Sequence, residues 1–218
     1  MPIALFDLDN TLIAGDSDHG WGEFLVSHHK VDPAYYSEMN DRFYRDYQAG
    51  NLDMNAYLEF ALQPLAELGR EELNSLHEIF MREVIAPMWL PRAEQLLQQH
   101  RDRGDLLIII TSTNRFVVEP ISNKLGADVL IATEPEQHNG HYTGKVSGVP
   151  SYKEGKVVRL NAWLAETGYN LSGSSFYSDS INDLPLLEIV DRPVAVDPCP
   201  QLRSVAEQRQ WEIISLRD

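Results

Sequence analysis

The chain has 218 residues, about one and a half domains at roughly 150 residues each, which suits one full domain with a smaller insertion and excludes a long multidomain machine. Hydrophobic residues make up 43% and charged residues 23%, the balance of a folded chain with a core rather than a disordered or fibrous one. A formal net charge of −15 repels phosphate backbones and anionic bilayers, so neither nucleic acid nor a membrane surface is expected as a partner.

The first apolar run, residues 3–8, reads as a buried strand, and its opening MPIALFDLDN has neither a basic stretch nor the long apolar stretch of a targeting segment. From about Ser17 to Val84 the chain offers helical spacings, such as Leu73, Leu76, Phe80 and Val84, and no convincing strand. Nine of its twenty aromatic residues fall between Trp21 and Phe60, enough for a small core of its own. Residues 17–85 are therefore expected to form a helical cap inserted into a core domain made of residues 1–16 and 86–218. Residues 92–103 read as a helix closed by Gly104, and 106–111 as a strand whose longest apolar run is too short to cross a membrane. A strand at 128–132 precedes a hairpin at 138–147, marked by Asn139-Gly140. A helix at 156–167 ends at Gly168, and strands follow at 174–178, 193–196 and 212–216. Strand and helix alternate, so the fold expected is α/β, a doubly wound parallel sheet with helices on both faces. The lone Cys199 rules out an internal disulfide, and the cytoplasm is the expected compartment.

The chemistry begins at Phe6-Asp7-Leu8-Asp9-Asn10-Thr11-Leu12, where the first strand runs out. Residues two apart on a strand share a face, so Asp7 and Asp9 both project into the crevice beyond the carboxyl end of the sheet. Taken alone, Asp9, Asn10 and Thr11 fit a helix cap or an Asx-turn as well as they fit catalysis. A second strand ends in Ser178-Asp179-Ser180-Ile181-Asn182-Asp183, and carboxylates from neighbouring strand ends make a hard oxygen site suited to Mg²⁺. The strand at 106–111 ends in Thr111, Ser112, Thr113 and Asn114, whose hydroxyls and free amides can donate to phosphate oxygens or simply form a polar turn. Lys156 opens a helix, where a cation opposes the helix dipole unless an anion is close. An exposed surface lysine is the other reading.

In this order the four pieces resemble the haloacid dehalogenase-like superfamily of phosphatases, and within it the subgroup similar to phosphoserine phosphatase with a helical cap after the first motif. The resemblance spans nearly the whole chain. It implies Asp7 as nucleophile, Asp9 as general acid and base, and Thr111 with the Ser112 amide as phosphate ligands. The phosphate-binding cation falls on Lys156, with Lys153 as the neighbouring alternative. Mg²⁺ falls on Asp7, Asp9 and Asp179, with Thr11, Asn182 and Asp183 in support. The substrate implied is a small phosphate ester: attack by Asp7 leaves an aspartyl-phosphate while Asp9 protonates the leaving alkoxide, and water activated by Asp9 then clears the intermediate.

The cap is expected to choose the ester. In phosphoserine phosphatases an acid nine positions after the nucleophile binds the substrate amine, and Asp16 has that spacing, with Asp18 and Glu23 nearby. Those enzymes also carry a cap arginine for the substrate carboxylate, whereas residues 57–65, YLEFALQPL, contain none. An amine-bearing phosphate without a carboxylate fits better, as in the members similar to histidinol-phosphate phosphatases. Trp21, Phe24 and Tyr44 either stack on such a ring or form the helical core. Phosphoserine hydrolysis, transfer of the phosphoryl group to another acceptor, and a catalytically inert regulatory module are the alternatives. His28-His29 and His138-x-x-His141 lack the second pair of ligands that structural zinc requires.

Overall fold

The computed structural model describes residues 1–217. Its first strand, β1 (Ile3–Phe6), is buried along its whole length. The chain then forms α1 (Ser17–Ser27), α2 (Pro33–Gln48), α3 (Met54–Ala61), α4 (Gln63–Glu67) and α5 (Arg70–Phe80). Asp16, Asp32 and Asp53 start three of these helices, each carboxylate accepting free amide hydrogens of the first turn. A π-helical turn at Met81–Ile85 and a 3-10 turn at Ala86–Met88 lead into α6 (Pro91–Asp102) and β2 (Leu106–Asn114). Then come α7 (Arg115–Leu125), β3 (Val129–His138), β4 (His141–Ser147), α8 (Glu154–Thr167), β5 (Ser175–Ser178), α9 (Leu184–Leu187), β6 (Arg192–Val196), α10 (Pro200–Arg209) and β7 (Glu212–Ile214).

The strands form one seven-stranded sheet in the order β4-β3-β2-β1-β5-β6-β7, parallel except for the β3–β4 hairpin. Its apolar runs are continuous because both faces are covered. Ile3 and Leu5 pack with Ile108, Leu160 and Phe176 on one face, while Ala4 and Phe6 pack with Ile109, Val117 and Val194 on the other. The strand order switches sides between β1 and β5, strands β2 to β4 lying on one side of β1 and β5 to β7 on the other, which places a crevice beyond the carboxyl ends of the central strands.

β1 stops two residues short of the expected end. The Asp7 amide still donates to Tyr177 O, but Leu8 O then accepts from the amides of Thr11, Leu12 and Ile13, winding the chain into a tight turn. β3 runs on past residue 132 because its second half pairs with β4 across Asn139-Gly140, whose φ values of 50° and 80° suit a two-residue hairpin turn. Among the described residues 17–85 there is no strand. Tyr36, Phe43, Leu52, Phe60 and Ala61 form a separate small cluster there. Trp21, Phe24, Leu73 and Phe80 instead share the larger cluster of Phe6 and Ile109, so α1 and α5 pack on the sheet side of the helical segment.

Candidate active site

At the end of β1, Asp7 is 2% exposed and its Oδ1 accepts the Lys156 ammonium at 2.8 Å. The same Nζ lies 2.7 Å from Asp183 Oδ1, and Asp183 Oδ2 accepts the Ser178 hydroxyl at 2.6 Å. Lys156 reaches this position from the first turn of α8 because the preceding loop folds tightly. A Cβ on Gly155 would stand 2.0 Å from Pro150 O, so only glycine fits there. Lys153 points elsewhere, its Nζ donating to Gly50 O at 2.8 Å. Of the two lysines considered from sequence, the structure brings Lys156 to Asp7.

Both oxygens of Asp9 are engaged: Oδ1 accepts the Ser17 amide at 2.6 Å and Oδ2 the Thr113 hydroxyl at 2.8 Å. Thr111 Oγ1 is 3.5 Å from the same Oδ2 and also accepts the Thr113 amide at 3.2 Å. Thr11 Oγ1 donates to Asp179 Oδ1 and accepts the Asp179 amide, both at 3.1 Å, tying the β1 turn to the end of β5. Asn182 reaches across to the helical segment, its Nδ2 donating to Tyr47 O at 3.1 Å.

Burial dominates the electrostatics. It pushes the Asp7 carboxyl above its usual range, against the pull of Lys156 and with added repulsion from Asp183. Burial alone would lower the Lys156 ammonium, but Asp183 and Asp7 outweigh it and hold the group above its ordinary value. Asp9 is pushed up to about 6 by burial and then by the charge of Asp16, with the Ser17 and Thr113 hydrogen bonds opposing. Such a carboxyl is accessible in both protonation states near neutrality.

A pocket opens over Asp7 and Asp9, lined further by Asp16, Asp18, Tyr44, Tyr47, Tyr57, Ser112 and Thr113. Asp16 caps α1, its Oδ1 accepting the amides of Asp18 and His19. Asp18 Oδ2 accepts the Tyr57 hydroxyl at 2.5 Å. Burial raises both acids, Asp16 to about 6 and Asp18 to about 7. Trp21 does not line the pocket. It is 2% exposed and packs among Phe24, His77, Phe80 and Phe116, which corrects its assignment to substrate recognition; Phe24 is core for the same reason.

Among the described residues no three His, Cys, Asp or Glu side chains converge tightly enough to hold a metal unaided. Mg²⁺ does not require that, since it commonly takes one or two carboxylates and completes its shell with water and substrate phosphate. Asp179 is raised well above its usual value, by burial first and then by the charges of Asp7 and Asp183, so this corner carries negative charge that a cation would offset. Asp7 and Asp179 fit a hard-cation donor set. The Asp9 side chain fits it less well, because Ser17 and Thr113 already occupy its oxygens.

Residues 4–188 match the haloacid dehalogenase-like hydrolase family. The chain belongs to the haloacid dehalogenase-like hydrolases. It is 46% identical over 219 residues to a histidinol-phosphatase of Neisseria meningitidis serogroup C, with 99% of each chain covered. A phosphoserine phosphatase of Mycobacterium tuberculosis is 31% identical over 98% of this chain and 70% of that protein. Among solved structures, a protein of unknown function from Bordetella pertussis Tohama I superposes with a TM-score of 0.93 at 46% identity, over 99% of this chain and 98% of that one. A substrate-bound phosphoserine phosphatase shares the fold, with a TM-score of 0.72 at 19% identity over 99% and 93% of the two chains. In this haloacid dehalogenase-like hydrolase two pocket contacts, Thr113 with Asp9 and Tyr57 with Asp18, join residues that the sequence motifs do not pair. Thr113 shares a strand face with Thr111, a spacing that marks it as a second hydroxyl near Asp9. Tyr57 meets Asp18 at a sequence separation of 39, and no local pattern announces that contact.

Proposed function

We propose that this chain is a Mg²⁺-dependent phosphomonoesterase that hydrolyses a small amine-bearing metabolite phosphate, histidinol phosphate before others, through an aspartyl-phosphate on Asp7. One arrangement carries the reading: a buried Lys156 stands behind Asp7, at the end of a pocket whose lining includes Asp7, Asp9, Asp16 and Asp18 but neither lysine nor arginine. The first feature suits phosphoryl transfer, and the second suits a cationic leaving group without a carboxylate. The histidinol-phosphatase from N. meningitidis, similar along its full length, supports the same substrate.

Lys156 holds the Asp7 carboxylate in place and offsets charge as the phosphoryl oxygens approach. The Asp7 oxygen bonds to phosphorus as the bond to the ester oxygen breaks, and Asp9 gives its proton to that departing oxygen. Asp9, now ionised, takes a proton from water, whose oxygen attacks the acyl phosphate and frees Asp7 and inorganic phosphate. Asp7 and Asp179 are the residues that would hold Mg²⁺, which would supply charge neutralisation for the phosphoryl group.

In a panel of small phosphate esters, kcat/KM for histidinol phosphate should exceed that for phosphoserine by about tenfold or more, because a substrate carboxylate would enter an acidic pocket with no cationic partner. Equal or greater efficiency with phosphoserine would overturn the substrate choice. Metal binding is tested separately by thermal melting. An ion at about a hundred times its Kd adds about 2.7 kcal/mol, and ~1 kcal/mol moves the Tm of a chain of this size by about 2–4 °C. Chelator-treated protein should therefore gain several degrees on addition of Mg²⁺, and Asp179→Asn should lose most of that gain. An equal gain in the variant would remove Asp179 from the metal site.

A further inference from the structure

We propose that the Tyr47 hydroxyl is a further catalytic group: presented by the end of α2 at the Asp7 end of the pocket, it donates a hydrogen bond to the phosphoryl group as that group passes to Asp7. This role rests on the phosphomonoesterase reading and deepens it by giving the helical segment a part in the chemistry as well as in the choice of substrate.

Most side-chain donors around the pocket are already committed. On the sheet side the Thr113 hydroxyl donates to Asp9, and the Lys156 ammonium is shared by Asp7 and Asp183. On the helical side Tyr57 donates to Asp18, the Asn40 amide donates to His19 O, and His19 Nε2 lies 3.0 Å from Asp41. Tyr44 stacks on the His19 ring and turns its hydroxyl to Gln48 and Asn10. Tyr47 is the exception. It lines the same pocket as Asp7 and Ser112, and among the described residues its hydroxyl has no hydrogen-bond partner. Burial first, and then the charge of Asp7 followed by those of Asp183 and Asp179, pushes this hydroxyl well above its ordinary range, so it keeps its proton and serves as a donor. Asp7 is the strongest of the charges acting on Tyr47, whereas for Tyr44 that charge is Asp16. The two rings therefore serve different ends of the pocket.

The turn that carries Tyr47 is fastened to the core from both sides. Asn182 Nδ2 donates to Tyr47 O at 3.1 Å, and Asn182 Oδ1 accepts the Tyr152 hydroxyl at 3.3 Å. Three residues on, Gly50 O accepts the Lys153 ammonium at 2.8 Å, so the lysine that turns away from Asp7 holds the end of α2 down instead. The Tyr47 and Tyr152 rings lie 6.1 Å apart between these two ties. A neutral donor has a clear use here. A phosphate ester enters a pocket that already holds Asp7, Asp9, Asp16 and Asp18, and each donor that meets its oxygens offsets repulsion. A donor fixed in place by the fold needs no reorganisation as charge develops on the phosphoryl oxygens.

The test is Tyr47→Phe, which keeps the ring and removes the hydroxyl. Its kcat/KM is measured for histidinol phosphate and for p-nitrophenyl phosphate, together with the inhibition constant of orthovanadate, a phosphoryl mimic whose constant does not depend on how much of the protein is folded. The hydroxyl acts on the group that all three share. Both kcat/KM values should therefore fall by about tenfold to a hundredfold, and vanadate should bind at least about tenfold more weakly, the range of a hydrogen bond to a charged group. Lys153→Met should lower kcat/KM several-fold in the wild-type background and no further in Tyr47→Phe, because the tie to Gly50 matters through the hydroxyl it holds. Wild-type rates in Tyr47→Phe, a loss confined to histidinol phosphate, or unchanged inhibition by vanadate overturns the assignment alone. Losses from the two substitutions that simply multiply overturn the holding of Tyr47 by Lys153. A wild type that hydrolyses neither ester overturns the phosphomonoesterase reading and the assignment with it.

Discussion

Asp7→Asn is expected to abolish turnover while leaving the protein at least as stable as wild type at pH 8. The amide is a poor nucleophile, so no aspartyl-phosphate forms, and the remaining groups have no attacking atom to assist. The stability half follows from the sign of the Asp7 shift. A carboxyl raised in the folded state by burial is cheaper to hold neutral than ionised, so its penalty is absent below its ordinary range near ~4 and grows as pH rises through about 7. Substitution by the neutral isostere removes that penalty. Lys156 is not orphaned, because Asp183 remains 2.7 Å from its ammonium. Thermal melts in chelator should place the variant at or above wild type at pH 8, with the difference shrinking toward pH 4. Intact-mass measurement after acid quench should show a phosphoryl adduct in wild type and none in the variant. Turnover within about an order of magnitude of wild type would remove Asp7 as the nucleophile. A variant that melts several degrees lower at pH 8 would show instead that the ionised Asp7 stabilises the fold.

The catalytic end of this molecule was legible because its signals are local and its geometry follows from strand periodicity. A continuous apolar run such as Leu106 to Ile110 means burial on both faces, hence a parallel sheet, and a parallel sheet places polar residues at strand ends in one crevice. That reasoning leads directly from Asp7 and Asp179 to the ends of the paired strands β1 and β5, which the Thr11 hydroxyl ties together through its two hydrogen bonds with Asp179. It does not choose between Lys153 and Lys156, since both stand at the start of one helix. The choice is made by the close approach of Gly155 to Pro150 O, a steric detail with no periodic signature. The pocket end was less legible. Aromatic content shows that rings will cluster but not which of them face a ligand, and Trp21 faces the core while Tyr57 faces the pocket. The helical segment was expected to have a core of its own. Only part of its apolar surface does so, because α1 and α5 bury their faces against the sheet side instead.

Asp9→Asn should lower kcat/KM for an alkyl phosphate by ~10²–10⁴, the usual range of general acid–base catalysis. That is a small share of an acceleration that for phosphate monoesters can approach ~10²¹, so most of the remainder must come from charge neutralisation around Asp7 and Lys156, which the variant keeps. The loss should depend on the leaving group. An alkoxide needs the Asp9 proton as it departs, whereas p-nitrophenolate leaves without it, so phosphorylation of Asp7 by p-nitrophenyl phosphate should be nearly spared. Hydrolysis of the acyl phosphate still needs a base, so the variant should accumulate the phosphorylated form with this substrate, visible as a mass gain after rapid acid quench. The wild-type pH profile follows from the same group. Burial, then the charge of Asp16, sets Asp9 at about 6, so roughly a tenth of it carries a proton at pH 7. With an alkyl ester the rate of phosphorylation should fall as pH rises above that value, and clearance of the intermediate should fall below it. In Asp9→Asn both limbs should vanish. Equal losses on the alkyl and p-nitrophenyl esters, with no covalent species trapped, would reduce Asp9 to a structural anchor for Ser17 and Thr113.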